Sequence, residues 1–361
     1  MPHYWVYVGT STGEKSRGIY RFQWDSSTGA PVSPVELAAE TPNPTFLNLH
    51  PSGRFLYSVN AISDFNGERT GAVSAFAVDA ATGGLTLLNQ QPSGGTGPCH
   101  VVVSPDGGAV LTANYGGGST ASLPIEADGR LGPPVSAIQH VGSSVNPRRQ
   151  EGPHAHSVNL DPSARFALTA DLGLDQVLIY RFDAAAHTLT PHDPPFGRTA
   201  GGAGPRHLAF HPSGRFAYVI NELDSTVTAF QWESGAGTLA VIQTISTLPK
   251  GFAGENYPAE IVAHRDGRFL YGSNRGHDSL AIFAVDGATG LLTPTGHAAS
   301  GGKWPRNFNF DPTGDWVLIG NGSSDNIRIC RVNRQDGSLT QVGADLEVPS
   351  PICHRFLQVS S

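Results

Sequence analysis

Cysteine, charged residues and long hydrophobic runs are all scarce in this chain of 361 residues. Its three cysteines, Cys99, Cys330 and Cys353, include no C-x-x-C pair, which argues against a disulfide framework or a structural zinc site. No window approaches the roughly 18 uninterrupted apolar residues of a membrane span. The first residues also lack the basic-then-apolar order of a secretory signal. We therefore expect a cytoplasmic protein that does not contact membranes.

The charge balance disfavours a nucleic-acid partner. The chain has 23 Lys and Arg against 30 Asp and Glu, a formal net charge of −7, and charged residues make up only 15% of it. A protein that binds a phosphate backbone through its surface needs an excess of the opposite sign. Apolar residues reach 39%, enough for a sizeable core, so a disordered chain is not expected.

A sequence repeat runs along the whole chain. Five copies begin with proline and carry asparagine 16 places later, as in PRHLAFHPSGRFAYVIN from Pro205. These asparagines are Asn60, Asn114, Asn221, Asn274 and Asn321. A sixth copy, which contains His156, begins at Ala155 and ends at Asp171, and a partial copy begins at Pro351. The frame starts are residues 44, 98, 155, 205, 258, 305 and 351.

Each repeat has the pattern of four short strands. Apolar residues alternate with polar ones before a Pro-Ser-Gly-Arg or Asp-Gly-Arg turn, and β-forming runs follow it. Four strands about every 50 residues are typical of a β-propeller blade. The partial copy at Pro351 lacks a second strand, which residues 5–10 can supply. We predict an all-β, seven-bladed β-propeller of four-stranded antiparallel blades, one domain over residues 1–361, whose ring closes by pairing the N- and C-terminal strands.

The repeat also predicts the place of a functional site. The first strand of a blade lines the central channel, and the second strand returns antiparallel beside it. Residues one place and 17 places after each frame start should therefore lie close together at one mouth of the channel. These positions carry His156, Arg206, Glu222, Arg275 and Arg306. Guanidinium groups suit a carboxylate or phosphate, so we expect an anionic ligand. The alternative is a structural salt bridge between Arg206 and Glu222.

Three further residues near this mouth have open roles. His154 and His156 lie on one side of an extended segment, and such a pair could bind a metal, but no acidic residue is spaced to complete the site. We expect no metal; the histidines either bind substrate or form loop hydrogen bonds. Glu260 competes with Glu222 as the functional carboxylate, although its apolar neighbours favour a structural role.

Three segments resemble the seven-bladed lactonase family, which includes the propeller-type 6-phosphogluconolactonases and is related to the carboxymuconate lactonizing enzymes. The segments are RQEGPHAHSV, GPRHLAFHPSGRFAYVINELDSTV and PAEIVAHRDGRFLYGSNRGHDSLAIF. The resemblance covers essentially the whole chain. It implies an enzyme without a cofactor whose catalytic groups fall on His154 or His156, Arg206, Glu222 and Arg275.

The resemblance further implies hydrolysis of a sugar lactone, 6-phospho-D-glucono-1,5-lactone, to 6-phosphogluconate. Glu222 would act as the general base on water, Arg206 or Arg275 would stabilise the oxyanion, and one of the two histidines would protonate the ring oxygen. Arg149 and Arg306 would hold the phosphate. The small anionic lactone is then the expected partner, and no metal takes part.

Two other functions are kept as alternatives. In one, the same arginines bind a muconate-type dicarboxylate or another lactone, and the enzyme is a cyclase or a different lactone hydrolase. In the other, the propeller is a non-catalytic module that binds a protein, which predicts an apolar or aromatic mouth rather than a charged one. The sequence makes no prediction of oligomeric state.

Overall fold

The structure is a computed structural model that describes residues 3–359. Within these residues the regular secondary structure consists of strands alone, arranged in seven antiparallel sheets. None of the described residues forms a helix long and apolar enough to cross a membrane. The predicted all-β class is confirmed.

The strands follow one another along the chain in blade order. Blade 1 begins with β1 (His3–Thr10), β2 (Gly18–Asp25), β3 (Ala30–Pro31) and β4 (Glu36–Glu40). Blade 2 contains β5 (Leu47–Leu49), β6 (Phe55–Asn60), β7 (Ala72–Val78) and β8 (Leu85–Pro92). Blade 3 contains β9 (Pro98–Val103), β10 (Ala109–Asn114), β11 (Ser119–Pro124) and β12 (Ser136–Gln139). Blade 4 contains β13 (Ala155–Leu160), β14 (Phe166–Asp171), β15 (Gln176–Asp183) and β16 (Thr188–Arg198).

The remaining blades have the same order. Blade 5 contains β17 (Pro205–Phe210), β18 (Phe216–Asn221), β19 (Thr226–Glu233) and β20 (Thr238–Ser246). Blade 6 contains β21 (Tyr257–Ala263), β22 (Phe269–Arg275), β23 (Ser279–Val285) and β24 (Leu292–Ala299). Blade 7 contains β25 (Pro305–Phe310), β26 (Trp316–Asn321), β27 (Asn326–Val332), β28 (Leu339–Gln341) and β29 (Leu346–Glu347). The last strand, β30 (Pro351–Gln358), returns to blade 1.

Blade 1 is made from both ends of the chain. Strand β30 pairs antiparallel with β1, from Tyr4 opposite Gln358 to Gly9 opposite Cys353. In this way β30 becomes the innermost strand of the sheet that β1, β2 and β4 complete. The predicted ring closure between the terminal strands is confirmed.

Repeated side chains hold neighbouring blades together. Tyrosines on second strands donate from the hydroxyl to a glycine carbonyl of the next blade, as in Tyr57 to Gly129 (3.0 Å) and Tyr218 to Gly290 (3.1 Å). The repeated asparagines are buried, and Asn321 donates from its amide to the carbonyl of Ser300, in the loop that leads into its own blade. Asn60, Asn114 and Asn274 likewise donate to backbone carbonyls, whereas Asn221 donates to the hydroxyls of Thr226 and Thr228. Because these amides bond within the protein, the repeated asparagines serve the fold.

The inner strands carry an irregularity that shapes the channel. In six of the seven inner strands, a β-bulge inserts one extra residue just after the frame start. On β17, for example, Pro205 lies opposite Asn221 and His207 lies opposite Ile220, so Arg206 has no partner across the sheet. The corresponding strands are β9, β13, β21, β25 and β30. A bulge re-aims side chains and often lies beside an active site. Here it lets Arg206 and His207 both contact groups in the channel.

Candidate active site

Three arginines from three parts of the chain bind the carboxylate of Glu222. Arg206, on the bulge of β17, donates from Nε to Oε2 at 2.9 Å, and Arg275, at the end of β22, donates from Nη2 to the same oxygen at 2.8 Å. Arg149 approaches from the loop between β12 and β13 and donates from Nη2 to Oε1 at 2.7 Å. The Arg206–Glu222 ion pair of the structural alternative is present, as part of this larger cluster.

The side chains of this cluster are mostly buried, and burial changes the pKa values of its members. The side chains of Arg206, Arg275 and Glu222 are 2%, 5% and 8% exposed, whereas that of Arg149 is 35% exposed. Burial disfavours the charged carboxylate, but the charges of Arg275, Arg206 and Arg149 outweigh it and lower the pKa of Glu222 to about 2. Burial, with the nearby charge of Arg206, lowers the pKa of Arg275 to about 9. Glu222 and Arg275 are therefore both ionised at neutral pH.

The two buried arginines keep donors for a ligand. Arg206 uses Nε for Glu222 and Nη1 for the carbonyl of Ala259, and Arg275 uses Nε for the carbonyl of Tyr257 and Nη2 for Glu222. Nη2 of Arg206 and Nη1 of Arg275 donate to no acceptor among residues 3–359. A guanidinium fixed at two of its nitrogens presents the third in a set direction.

Arg306 differs from the other arginines of the mouth because no described carboxylate contacts its guanidinium group. It occupies the bulge of β25, and within the described part of the chain it forms neither a hydrogen bond nor an ion pair. Burial, and the nearby charge of Arg206, lower its pKa to about 10, so its charge is kept at neutral pH. Because this half-buried guanidinium has no described partner, an anion is the natural ligand at this position.

The two histidines of the PHAH segment differ in their surroundings. His154 is partly exposed, stacks on the ring of Tyr115 with centroids 4.6 Å apart, and places Nδ1 3.1 Å from the Tyr115 carbonyl. His156 is buried, and its Nδ1 lies 3.7 Å from Sγ of Cys99. Burial and the charge of Arg206 hold the pKa of His156 well below its usual range. At neutral pH the ring of His156 is therefore uncharged.

Two aromatic residues that were not predicted as site residues, Tyr115 and Trp304, also contact the arginine cluster. Tyr115 lies 17 places after a frame start, as Glu222 does. The hydroxyl of Tyr115 accepts a hydrogen bond from Nη2 of Arg149 at 3.4 Å, and its ring contacts both His154 and His156. The frame alone could have found it. Trp304 lies under the guanidinium of Arg275, with Cζ 5.2 Å from the ring centroid. Nothing in the repeat marks this second residue, since it precedes a frame start.

Glu260 and Cys99 are held in contacts of their own. Glu260 pairs through Oε1 with Nδ1 of His207 at 2.8 Å and through Oε2 with the amide of Asn307. Burial raises the pKa of the Cys99 thiol to about 12, which keeps it protonated and unreactive. Within residues 3–359, no three His, Cys, Asp or Glu side chains are grouped so that they could hold a metal ion.

A model of the family described as "Lactonase, 7-bladed beta-propeller" matches residues 5–356. The chain belongs to this family. The lactonase is 36% identical over 363 residues to a 6-phosphogluconolactonase of Bacillus subtilis (strain 168), with 99% of both chains covered. It is 30% identical over 351 residues to a 6-phosphogluconolactonase of Formosa agariphila, covering 95% of this chain and 96% of the relative. The solved structure of a periplasmic gluconolactonase of Pseudomonas aeruginosa superposes with a TM-score of 0.91 at 36% identity, covering 99% of this chain and 100% of that one.

Family membership confirms the resemblance seen in the motifs. The protein is an enzyme of the lactone hydrolase class, similar to 6-phosphogluconolactonase, because relatives of that name match it over nearly the whole chain. A non-catalytic binding propeller is thereby set aside. The charged mouth agrees with this outcome, since a protein-binding face was expected to be apolar or aromatic.

Proposed function

We propose that this lactonase opens 6-phospho-D-glucono-1,5-lactone to 6-phosphogluconate by metal-independent attack of water. The observation that carries the proposal is a single buried carboxylate, Glu222, among arginines that keep free donors at one mouth of the channel. The names of the relatives support the choice of substrate.

The substrate's phosphate binds Arg306 and Arg149. Arg306 offers a guanidinium that no described side chain neutralises, and Arg149 offers one that solvent reaches. A dianionic phosphate and two guanidinium groups balance in charge and match in hydrogen-bond geometry. The phosphate thus fixes one end of the sugar while the lactone carbonyl faces the buried arginines.

Glu222 is the general base, and binding of the substrate activates it. In the free enzyme both of its oxygens accept from guanidinium groups, and a carboxylate with a pKa of about 2 is a weak base. When the phosphate draws Arg149 to itself, Oε1 loses its partner and becomes free to accept a proton from water. Oε2 stays bound to Arg206 and Arg275, which hold the carboxylate in place.

Arg206 and Arg275 stabilise the oxyanion that forms when water attacks the carbonyl. Their free terminal nitrogens are pre-oriented by the bonds to Glu222 and to backbone carbonyls. One well-placed donor of this kind stabilises the transition state by about 3–4 kcal/mol.

His154 gives a proton to the departing ring oxygen. We prefer His154 to His156 because solvent reaches His154, whereas His156 is buried and uncharged.

Lactone hydrolysis by wild type and Glu222→Gln, corrected for the spontaneous reaction, tests this proposal. We expect the variant to lose about 100-fold or more in kcat. Glu36→Gln removes an exposed carboxylate that pairs with Arg21 in blade 1, away from the mouth; it serves as the matched control and should be fully active. Chelator treatment should leave the wild type unchanged. Full activity of Glu222→Gln would remove Glu222 from the mechanism.

A muconate-type dicarboxylate is the second candidate ligand, because the same arginines would bind its carboxylates. A panel of lactones and muconates with and without a phosphate separates the two. We expect the highest kcat/KM for the phosphorylated sugar lactone, whereas a preference for the dicarboxylate would favour a cyclase.

A cytoplasmic location is expected from the sparse cysteines. Cell fractionation tests this expectation, since the similar P. aeruginosa protein is periplasmic.

A further inference from the structure

A second cavity lies along the channel, further down the inner strands than the arginine mouth. Its volume is about 320 Å³. Three asparagines and one arginine, each four places after a frame start, form its polar wall: Asn48, Asn159, Asn309 and Arg355. On the inner strands these positions come three places after the mouth residues, about 10 Å further along an extended chain. Nothing in the lactonase mechanism uses this cavity.

A layer of packed side chains separates the cavity from the mouth. We call it the central layer and define it as Phe46, His100, His207, Glu260 and Asn307, each two places after a frame start. The ring centroids of Phe46 and His100 are 4.1 Å apart and those of His100 and His207 are 5.3 Å apart. Glu260 then joins His207 to Asn307 by hydrogen bonds. The central layer therefore forms the floor of the cavity. Blades 2, 3, 5, 6 and 7 each contribute one residue to it.

The wall of the cavity keeps hydrogen-bonding groups that the protein itself does not satisfy. Nδ2 of Asn159 is buried and has no partner in the described structure. Arg355 lies with Cζ 4.8 Å from the centroid of the Phe46 ring and donates from Nη1 to the carbonyl of His354; its other nitrogens donate to no described acceptor. Because Nδ2 of Asn159 is too deeply buried to be reached from the cavity, the free nitrogens of Arg355 and the asparagine oxygens are the groups with which a ligand can pair.

The charges of the cavity restrict the kind of ligand. Burial raises the pKa of Glu260, but the contact with His207 outweighs it and the pKa is lowered. Its Oε1 accepts from Nδ1 of His207 and from the N–H of Ile261, and its Oε2 accepts from the amide of Asn307, so most of its acceptor capacity is used within the protein.

Arg355 is then the one cation of the lining with free N–H groups, which matches a singly charged carboxylate better than a dianionic phosphate. Asn48 and Asn309 donate from Nδ2 to the carbonyls of Val101 and His354, so their amide oxygens remain to accept hydrogen bonds from hydroxyl groups of a ligand. The volume is near the lower end of small-molecule pockets, which suits one monosaccharide.

We propose that this cavity is a second binding site, separate from the active site, for a hydroxy acid of monosaccharide size. Its carboxylate pairs with Arg355, and its hydroxyl groups bond to Asn159 and the neighbouring asparagines. The proposal stands on the geometry of the channel alone and does not depend on the identity of the lactone substrate.

Calorimetric titration with D-gluconate tests the proposal in the Arg306→Met variant, where binding at the mouth is weakened. We expect one binding event that Arg355→Met, added to this variant, weakens at least tenfold and that sorbitol, which lacks the carboxylate, does not reproduce. Arg331→Met is the matched control: Arg331 also lies over an aromatic ring, Trp316, but on the outer part of blade 7. Adding it should leave gluconate affinity unchanged.

A second variant and a crystal structure guard against a folding defect. Asn159→Leu removes the buried amide while Arg355 stays in place, and it should weaken gluconate binding several-fold with full lactonase activity. A crystal structure with gluconate should show its carboxylate at Arg355. Unchanged affinity in both cavity variants, or only water in the cavity at saturating gluconate, would overturn the proposal.

Discussion

Nη2 of Arg149 lies 2.7 Å from Oε1 of Glu222, and this ion pair differs from the other two that Glu222 makes. Arg206 and Arg275 are strand residues, almost fully buried, and both bind Oε2. Arg149 belongs to a loop, is one-third exposed, and alone binds Oε1. One oxygen of the carboxylate is therefore fixed by the fold, while the other is held by a group that an anionic substrate can reach.

Removal of Arg149 should make Glu222 a stronger base and weaken substrate binding at the same time. In Arg149→Met, we expect the pKa of Glu222 to rise from about 2 towards its ordinary value of 4.5, because one of three stabilising charges is lost. The acid limb of the kcat/KM profile should move up with it. KM for the phosphorylated lactone should rise about tenfold, while kcat for unphosphorylated glucono-1,5-lactone should be unchanged or higher.

Arg148→Met is the matched control for this experiment. Arg148 is the adjacent residue of the same loop, is exposed, and its side chain makes no hydrogen bond or ion pair with residues 3–359. It should leave both the pH profile and KM as in the wild type. A fall in kcat for both lactones in Arg149→Met, with no shift of the acid limb, would contradict substrate activation of Glu222.

The repeat made the ring and most of the mouth predictable. Because every frame start is at the same place in its blade, the positions of Arg206 and Glu222 could be matched before any coordinates were known. The bulges could not be predicted in this way, since strict alternation places Arg206 and His207 on opposite faces of β17. The contact of Arg149 with Glu222 was also out of reach, because it joins residues 73 apart through a loop that belongs to no repeat.

The two histidines should respond differently to substitution. His154→Gln should lower kcat about 10- to 100-fold, because it removes the proton donor to the ring oxygen. His156→Gln should change kcat less, because a buried ring whose pKa is far below neutrality has no proton to give. NMR titration of the ring nitrogens should show His156 still uncharged at pH 5.5. The opposite order of losses in kcat would assign the proton transfer to His156.

The tyrosine bonds between blades should contribute measurably to stability. Tyr218→Phe removes the hydrogen bond to the Gly290 carbonyl and leaves that acceptor buried, so we expect the free energy of unfolding to fall by about 1 kcal/mol. Thermal unfolding should show a lower Tm with unchanged kcat, since the residue lies outside the mouth. Tyr20→Phe is the comparison, because Tyr20 is only half-buried and its hydroxyl accepts a long bond, 3.4 Å, from the backbone of Arg17. Equal losses in the two variants would contradict a special role for the bonds between blades.

Acid should remove the stabilisation that the arginine cluster gives through Glu222. The folded-state pKa of about 2 lies below the ordinary 4.5, so this contribution is fully present above pH 4.5 and is lost as the pH falls towards 2. At about 1.4 kcal/mol for each pH unit of difference, it amounts to about 3 kcal/mol at most. Denaturant unfolding at pH 6 and pH 2.5 should therefore show the stability advantage of wild type over Glu222→Gln shrinking by most of that amount, about 2–3 kcal/mol. An advantage that stays constant between the two pH values would mean that the carboxylate is not held ionised by its three arginines.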